Sequence, residues 1–353
     1  MRPKQFHISR FIKLYALFLT TFFLCANSLL AQVYQAPQGS GTEADPYLIT
    51  SLQDLEWINI TESFDKYYKQ TTNINLNNAE YLDDTFIPLG NGSNQIGNIT
   101  AFTGTYDGNG KTIFNLSSEP GGNNVGFIGD LGQGGVLKNL TFASATVKGG
   151  HNTGIAVGNN NGTVQNVTIS GGEVTHVINQ NLFANTGGLV GRNQGNGMIT
   201  GSSSNAIVTG FGRQVGGLVG VNRPGGIITQ SFAYANVYNN GENNVNDRTG
   251  GLVGSNSGTI TWSYTRPGTF DKIVTGINAV GGLVGRNAGS IQWSFAMADV
   301  IGTTYMGGLI GLAENHGEDW DPLASVTYAT GDVTGSNHVG GLIGGGNGAS
   351  DAG

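Results

Sequence analysis

Gly187-Gly188-Leu189-Val190-Gly191 returns, whole or slightly altered, along most of the chain. The other versions are Val125-Gly126-Phe127-Ile128-Gly129, Gly154-Ile155-Ala156-Val157-Gly158, Gly216-Gly217-Leu218-Val219-Gly220, Gly250-Gly251-Leu252-Val253-Gly254, Gly281-Gly282-Leu283-Val284-Gly285, Gly307-Gly308-Leu309-Ile310-Gly311 and Gly340-Gly341-Leu342-Ile343-Gly344. Counted at the second position, the eight copies stand 29, 33, 29, 34, 31, 26 and 33 residues apart. A period in this range marks a solenoid, a propeller or an array.

Working outward from each copy, an asparagine follows in register at Asn160, Asn193, Asn222, Asn256 and Asn287, and then a glycine at Gly162, Gly195, Gly225, Gly258 and Gly289. A β-branched or apolar pair comes next, such as Thr163-Val164, Ile227-Ile228 or Thr259-Ile260, with Val167, Ser202, Ser231, Ser263 and Ser294 three residues on. A further valine closes the unit at Val147, Val174, Val208, Val237, Val300 and Val333. Each repeat therefore reads as three very short strands separated by Gly and Asn, which reach left-handed backbone angles at low cost.

No i, i+3, i+4 apolar period runs through a repeat, so helical arrays fit poorly. A propeller needs four strands per unit and usually longer repeats, roughly 40 to 50 residues. The fold expected is a right-handed parallel β-helix, in which identical residues stack about 4.8 Å apart and the asparagines form a ladder along the axis. Eight such coils give a stack of roughly 40 Å.

Over residues 101–353, the pattern GGLVG-x-N-x-G-x-I-x-x-S resembles the GLUG-motif repeats of bacterial surface proteins. These occur in adhesin-like proteins and in the non-catalytic part of some IgA-cleaving peptidases. The segment Phe102-Thr103-Gly104-Thr105-Tyr106-Asp107-Gly108-Asn109-Gly110-Lys111-Thr112-Ile113 is similar to the one that leads into such arrays. The resemblance implies a β-helical extracellular region and no particular ligand.

Composition agrees with an ordered extracellular chain. Glycine supplies 60 of 353 residues, yet 38% are hydrophobic and fall at fixed places. The formal charge is -7, and four of the 16 basic residues lie within the first 13 positions; without them 12 basic residues face 23 acidic ones, a charge of -11. That balance argues against nucleic acid and anionic membranes as partners, since both need a basic footprint. The one cysteine, Cys25, sits in the apolar N-terminal stretch, and Phe22-Phe23-Leu24 before it is too bulky for a lipobox.

Residues 1–31 read as a signal peptide: a basic start, an apolar run over Leu14 to Leu30 and cleavage after Ala31. Residues 32–100 read as an N-terminal cap with irregular lead-in coils. Leu52, Leu55 and Ile58, after Thr50 or Ser51 as N-cap, predict a short amphipathic helix that covers the open end of the core, with Trp57 in that cap. Residues 101–353 hold the repeats, with inserts expected at 238–249, 264–274 and 314–322. The array stops partway through a repeat, which predicts that the natural chain continues beyond Gly353.

Little in the repeats can carry catalysis. Between Asp130 and Glu242 the only carboxylate is Glu173, whereas glycosidases need two across one bond. No H-E-x-x-H, P-loop or G-x-S-x-G appears, and His151, His176, His316 and His338 lack metal-ligand spacing. Glu314, Glu318, Asp319 and Asp321 are weak calcium candidates, because four carboxylates fall close together but not in an EF-hand pattern. A solvated acidic loop accounts for them better, so no metal is expected.

Trp262 and Trp293 occupy one slot in consecutive repeats, where earlier repeats carry Asn166 and Gln230. A slot that accepts Asn and Gln faces outward, so two indoles stack on the surface as candidate ligand-binding residues; a purely stabilising aromatic ladder is the plainer alternative. The expectation is a secreted or surface stalk or adhesin-like region, working without cofactor or catalysis. Its partner would be a carbohydrate or a host or cell-surface protein, not nucleic acid. Membrane contact would come only through the signal peptide or a C-terminal anchor. The rivals are a repeat region of a larger surface peptidase and a carbohydrate-active β-helix enzyme.

Overall fold

The computed structural model describes residues 35–77, 86–90, 100–118, 122–177, 184–241, 247–266, 273–314 and 324–347. The chain divides into two compact units, Met1–Ala36 and Pro37–Gly353, and every coil belongs to the second. The signal-peptide expectation lies outside the described residues.

The fold is a parallel β-helix. One coil shows the plan: Asn185–Gly187, Val190–Asn193, Met198–Thr200, Ser203–Ser204 and Ile207–Gly210 are its strands. Each pairs in parallel with its counterpart in the next coil, as in Asn185↔Gln214, Val190↔Val219, Ile199↔Ile228, Ser203↔Phe232 and Val208↔Val237. Among the described residues the strands line up into four sheets, three of 8 strands and one of 16. We call them sheet I (with Asn185–Gly187), sheet II (Val190–Asn193), sheet III (Met198–Thr200 and Ser203–Ser204) and sheet IV (Ile207–Gly210).

Three strands per repeat were expected, and the difference lies in the glycine block. Gly187 ends a strand of sheet I, Gly188 and Leu189 turn the corner, and Val190 opens a strand of sheet II. The block is thus an arch, and its glycines let the two sheets approach backbone to backbone. A Cβ on Gly220 would lie 2.6 Å from the Gly191 carbonyl oxygen and 2.6 Å from the Thr186 nitrogen of sheet I. One on Gly217 would lie 2.1 Å from the Gly251 carbonyl oxygen and 3.0 Å from the Ala235 methyl. Because contacts under about 3 Å fall well inside van der Waals separation, any side chain would force these layers apart.

Inside the coils, each residue type stacks on its own kind. Val147, Val174, Val208, Val237, Val274, Val300 and Val333 form one column in sheet IV. Asn160, Asn193, Asn222, Asn256 and Asn287 form the expected ladder, each fully buried. Each of the first four donates its Nδ2–H to the Oδ1 of the next, over 2.7 to 2.8 Å. The same side chains close the following turn, as where the Gly162 N–H donates to Asn160 Oδ1 over 3.1 Å and Asn193 Nδ2 donates to the Gly197 carbonyl over 3.0 Å. The amides can be buried because they have partners; an orphaned one costs about 1 to 3 kcal/mol.

A second polar ladder serves sheet III. The backbone N–H groups of Val167, Ser202, Ser231 and Ser263 donate to the hydroxyls of Ser202, Ser231, Ser263 and Ser294, over 3.1 to 3.2 Å. Each of these four hydroxyls in turn donates to the carbonyl two residues earlier. Serine serves here because the preceding residue leaves the strand in a left-handed conformation, which breaks the regular pairing; Val167, after the left-handed Asn166, borrows the hydroxyl of Ser202 instead. Sequence spacing marked this position without explaining it.

At the N-terminal side, helix α1 spans Leu52–Thr61. Ser51 caps it, accepting from the Asp54 N–H, and Asp54 returns a carboxylate to the Ser51 N–H. Leu52, Leu55, Trp57 and Ile58 are buried, with Trp57 edge-on to Tyr47 at 5.1 Å. The helix and the place of Trp57 are as the spacing predicts. Tyr68, Phe102, Tyr106, Phe127 and Phe142 fill the first coils, where later coils carry smaller residues.

Two of the expected inserts are shorter than expected. Val237–Asn239 and Arg248–Gly250 are regular strands, as are Tyr264–Thr265 and Ile273–Thr275. Only residues 242–246 and 267–272 of those stretches lie outside the described residues. Asparagine and proline-glycine content hid the strands at their margins.

Candidate binding surface on sheet III

Between its two short strands, sheet III turns through one residue per coil with positive φ. Asn139, Asn166, Gly201, Gln230, Trp262, Trp293 and Val326 take this place, at φ 48° to 58°. Asn and Gly tolerate the left-handed region, whereas an ordinary side chain is held there at roughly 1 to 2 kcal/mol. The corner throws its side chain outward: Trp262 is 56% and Trp293 44% exposed. The two indoles stack with centroids 5.0 Å apart and planes 15° from parallel.

A longer column lies beside them. Thr141, Thr168 and Ser203 occupy the first coils at the position two residues after the corner; Phe232, Tyr264, Phe295 and Tyr328 occupy the later ones. The four rings stack at 5.1, 4.8 and 4.9 Å, with planes 14°, 2° and 3° from parallel. Tyr234 joins edge-on to Phe232, and the Arg266 guanidinium sits 4.7 Å over the Tyr234 ring. Burial raises the Tyr264 hydroxyl pKa above its ordinary value; Tyr234 adds to this and Arg266 opposes it. Met297, Val326 and Tyr328 extend the exposed apolar area.

Stacking limits what these rings can offer. Their faces are taken by their neighbours, so the columns present ring edges to solvent and open faces only at the ends. Aromatic edges carry partial positive charge and the indole adds an N–H, so the ridge suits hydroxyl and carbonyl oxygens.

Trp262 and Trp293, singled out from the sequence, are therefore brought together on the surface. The parallel series Phe232, Tyr264, Phe295 and Tyr328 went unread, although it stands two residues after the corner in each repeat. Of the weak metal candidates, Glu314 is engaged in an ion pair with Arg286, while Glu318, Asp319 and Asp321 lie outside the described residues. Among the described residues no group of three or more His, Cys, Asp or Glu side chains is placed to hold a metal ion. No helix among them is long and apolar enough to cross a membrane.

No protein-family profile matches the chain. It is similar to halomucin of Haloquadratum walsbyi, 42% identical over 170 residues, which is 47% of this chain and 2% of that protein. It is also similar to a protein of Evansella cellulosilytica provisionally named a Gly-rich membrane protein, 35% identical over 136 residues, 37% of this chain and 15% of that one. The chain thus spans a small part of either relative. Among solved structures it resembles one from Bacteroides ovatus provisionally named an immunoglobulin A1 protease, with a TM-score of 0.52, 18% identity and 86% of each chain covered. That likeness shows the shared β-helical fold.

Proposed function

We propose that this chain is a non-catalytic, GLUG-type repeat region displayed on a bacterial surface or secreted, and that the aromatic ridge of sheet III is its contact surface for glycans. One observation carries the reading: at a left-handed corner where earlier coils place Asn, Gly or Gln, two consecutive coils place tryptophan. An aromatic pair contributes about 0.5 to 1.5 kcal/mol beyond its burial. Two strained corners cost roughly 2 to 4 kcal/mol, more than the pair returns. Stability alone therefore gives little reason for the change, and exposure to a ligand does. The names of the two relatives, one a membrane protein and one halomucin, support a surface location.

The test has two parts. Protease applied to intact cells of the native host should release peptides from residues 37–353 if the region is displayed. Purified protein should bind immobilised saccharides, and the paired variant Trp262→Asn, Trp293→Asn should lose that binding while keeping its fold. A rival, the repeat region of a larger surface peptidase, draws on the name of the Bacteroides structure. It requires an H-E-x-x-H elsewhere in the full gene product.

A further inference from the structure

The sequence contains eight arginines, two of them within the first ten residues. Of the other six, five gather where sheets I and II meet, although they are spread over about a hundred positions in the sequence. Arg192 stands in sheet II; Arg213 and Arg223 flank the sheet I and sheet II strands of the next coil; Arg248 stands in sheet I of the coil after, and Arg286 in sheet II of the fourth. Arg192 and Arg286 share one column, Arg192↔Val221↔Ser255↔Arg286. They are three coils apart, about 14 Å at strand spacing. Arg248 lies across the seam, in register with Gln214.

We propose that this seam binds a linear acidic polysaccharide, its carboxylate or sulfate groups bridging guanidinium groups on successive coils.

Among the described residues the seam holds more arginines than carboxylates. Facing it are three described carboxylates, Asp130, Asp247 and Glu314. Asp130 accepts the amides of Asn124 and Asn159, over 2.7 and 2.6 Å, one on each oxygen, and acts on Arg192 through its charge. Glu314 is paired with Nη2 of Arg286. The Nε–H groups of Arg192 and Arg286 are nevertheless buried with no acceptor among the described residues.

The arginines also oppose one another. Burial lowers the Arg248 pKa to about 10, with Arg286, Arg213 and Arg223 adding to that effect and Glu314 opposing it. Burial and Arg223 likewise lower that of Arg192, against Asp130. Guanidinium is weakly hydrated and matches carboxylate and sulfate with paired N–H donors, so an anionic chain would relieve the repulsion and supply the missing acceptors.

The periodic placement of the arginines, one or two per coil over four coils, suits a linear polymer better than a single anion. A polysaccharide is favoured over nucleic acid because the seam is short and lysine-free in a chain of net charge -7. The site is separate from the aromatic ridge and does not depend on it.

The test titrates the full chain with polygalacturonate, heparin, dextran and duplex DNA by calorimetry at low salt. Binding to polygalacturonate or heparin but not dextran is expected, weakening as salt rises. Heparin alone would assign sulfate as the recognised group, and polygalacturonate alone carboxylate. Exposed Arg223→Glu should weaken binding about tenfold, and Arg192→Gln with Arg286→Gln more. Lys148→Gln, an exposed basic position on sheet IV, should leave it unchanged. Failure of both polyanions to bind, wild-type binding by Arg223→Glu and the paired variant, or tighter binding of DNA would each overturn the proposal. Unfolding midpoints guard against misreading a variant that does not fold, and Arg223→Glu provides a readout from an exposed position.

Discussion

Trp262 and Trp293 stack 5.0 Å apart from left-handed corners of consecutive coils, at φ 51° and 48°. Each indole thus combines a favourable neighbour with an unfavourable backbone. The serines that follow, Ser263 and Ser294, repair the pairing that the corner interrupts. The corner is built for a small or amide side chain, and these two coils use it to hold rings in solvent.

Replacing both tryptophans by Asn should therefore leave the fold as stable or stabilise it by about 1 to 2 kcal/mol, because the corner strain relieved outweighs the stacking lost. Urea unfolding measures this. A loss well above 2 kcal/mol would identify the pair as structural staples.

The asparagine ladder should respond in the opposite way. Asn222→Ala removes an acceptor from Asn193 and a donor from Asn256, both fully buried. A loss of about 2 kcal/mol or more is expected in chemical unfolding, from one orphaned Asn193 N–H, an Asn256 oxygen left with the Gly258 N–H as donor, and a small cavity. Asn222→Asp keeps the acceptor but loses the donor and buries a carboxylate, so it should be no better.

Much of this interior was legible in the sequence, because a β-helix writes its neighbours into its period: residues one repeat apart are the residues that touch. The Asn160 to Asn287 ladder and the outward pair Trp262 and Trp293 followed from spacing alone. Other features did not. The arch at Gly188 and Leu189 looks like a strand in sequence because a glycine needed for close approach and a glycine within a turn are written alike. The strand at Ile273–Thr275 was hidden behind Arg266-Pro267-Gly268. The arginine seam was invisible because the meeting of sheets I and II depends on how the arch folds back, which no linear spacing records.

Glycines in the arch should divide sharply from those on open turns. Gly220→Ala places a methyl 2.6 Å from backbone on two sides, whereas Gly171→Ala meets nothing within 4 Å. The first should cost at least about 3 kcal/mol by forcing packed layers apart. The second should fall between neutral and about 1 kcal/mol stabilising. Thermal unfolding of the two side by side is sufficient.

Stability should also depend on pH through Asp247. Burial raises its carboxyl pKa from 3.8 to about 6, with Arg213 opposing. A carboxyl with a raised folded pKa binds its proton more tightly in the folded state, so its favourable contribution is full below pH 4 and lost as pH rises through 6. Asp247→Asn should flatten that part of the midpoint-versus-pH curve and raise the midpoint at pH 7 relative to wild type. An unchanged curve would show that Asp247 does not titrate in this window.

The ridge on sheet III is the surface on which the proposed glycan contact stands or falls. The most direct measurement applies wild type and the paired variant Trp262→Asn, Trp293→Asn, at equal concentration and with unfolding midpoints compared, to one array of immobilised uncharged glycans, which leaves the arginine seam out of the readout. The account predicts that wild type binds a defined subset of saccharides and that the variant loses at least tenfold on that subset. Equal binding by the two proteins, or no binding by wild type to any glycan, would contradict it.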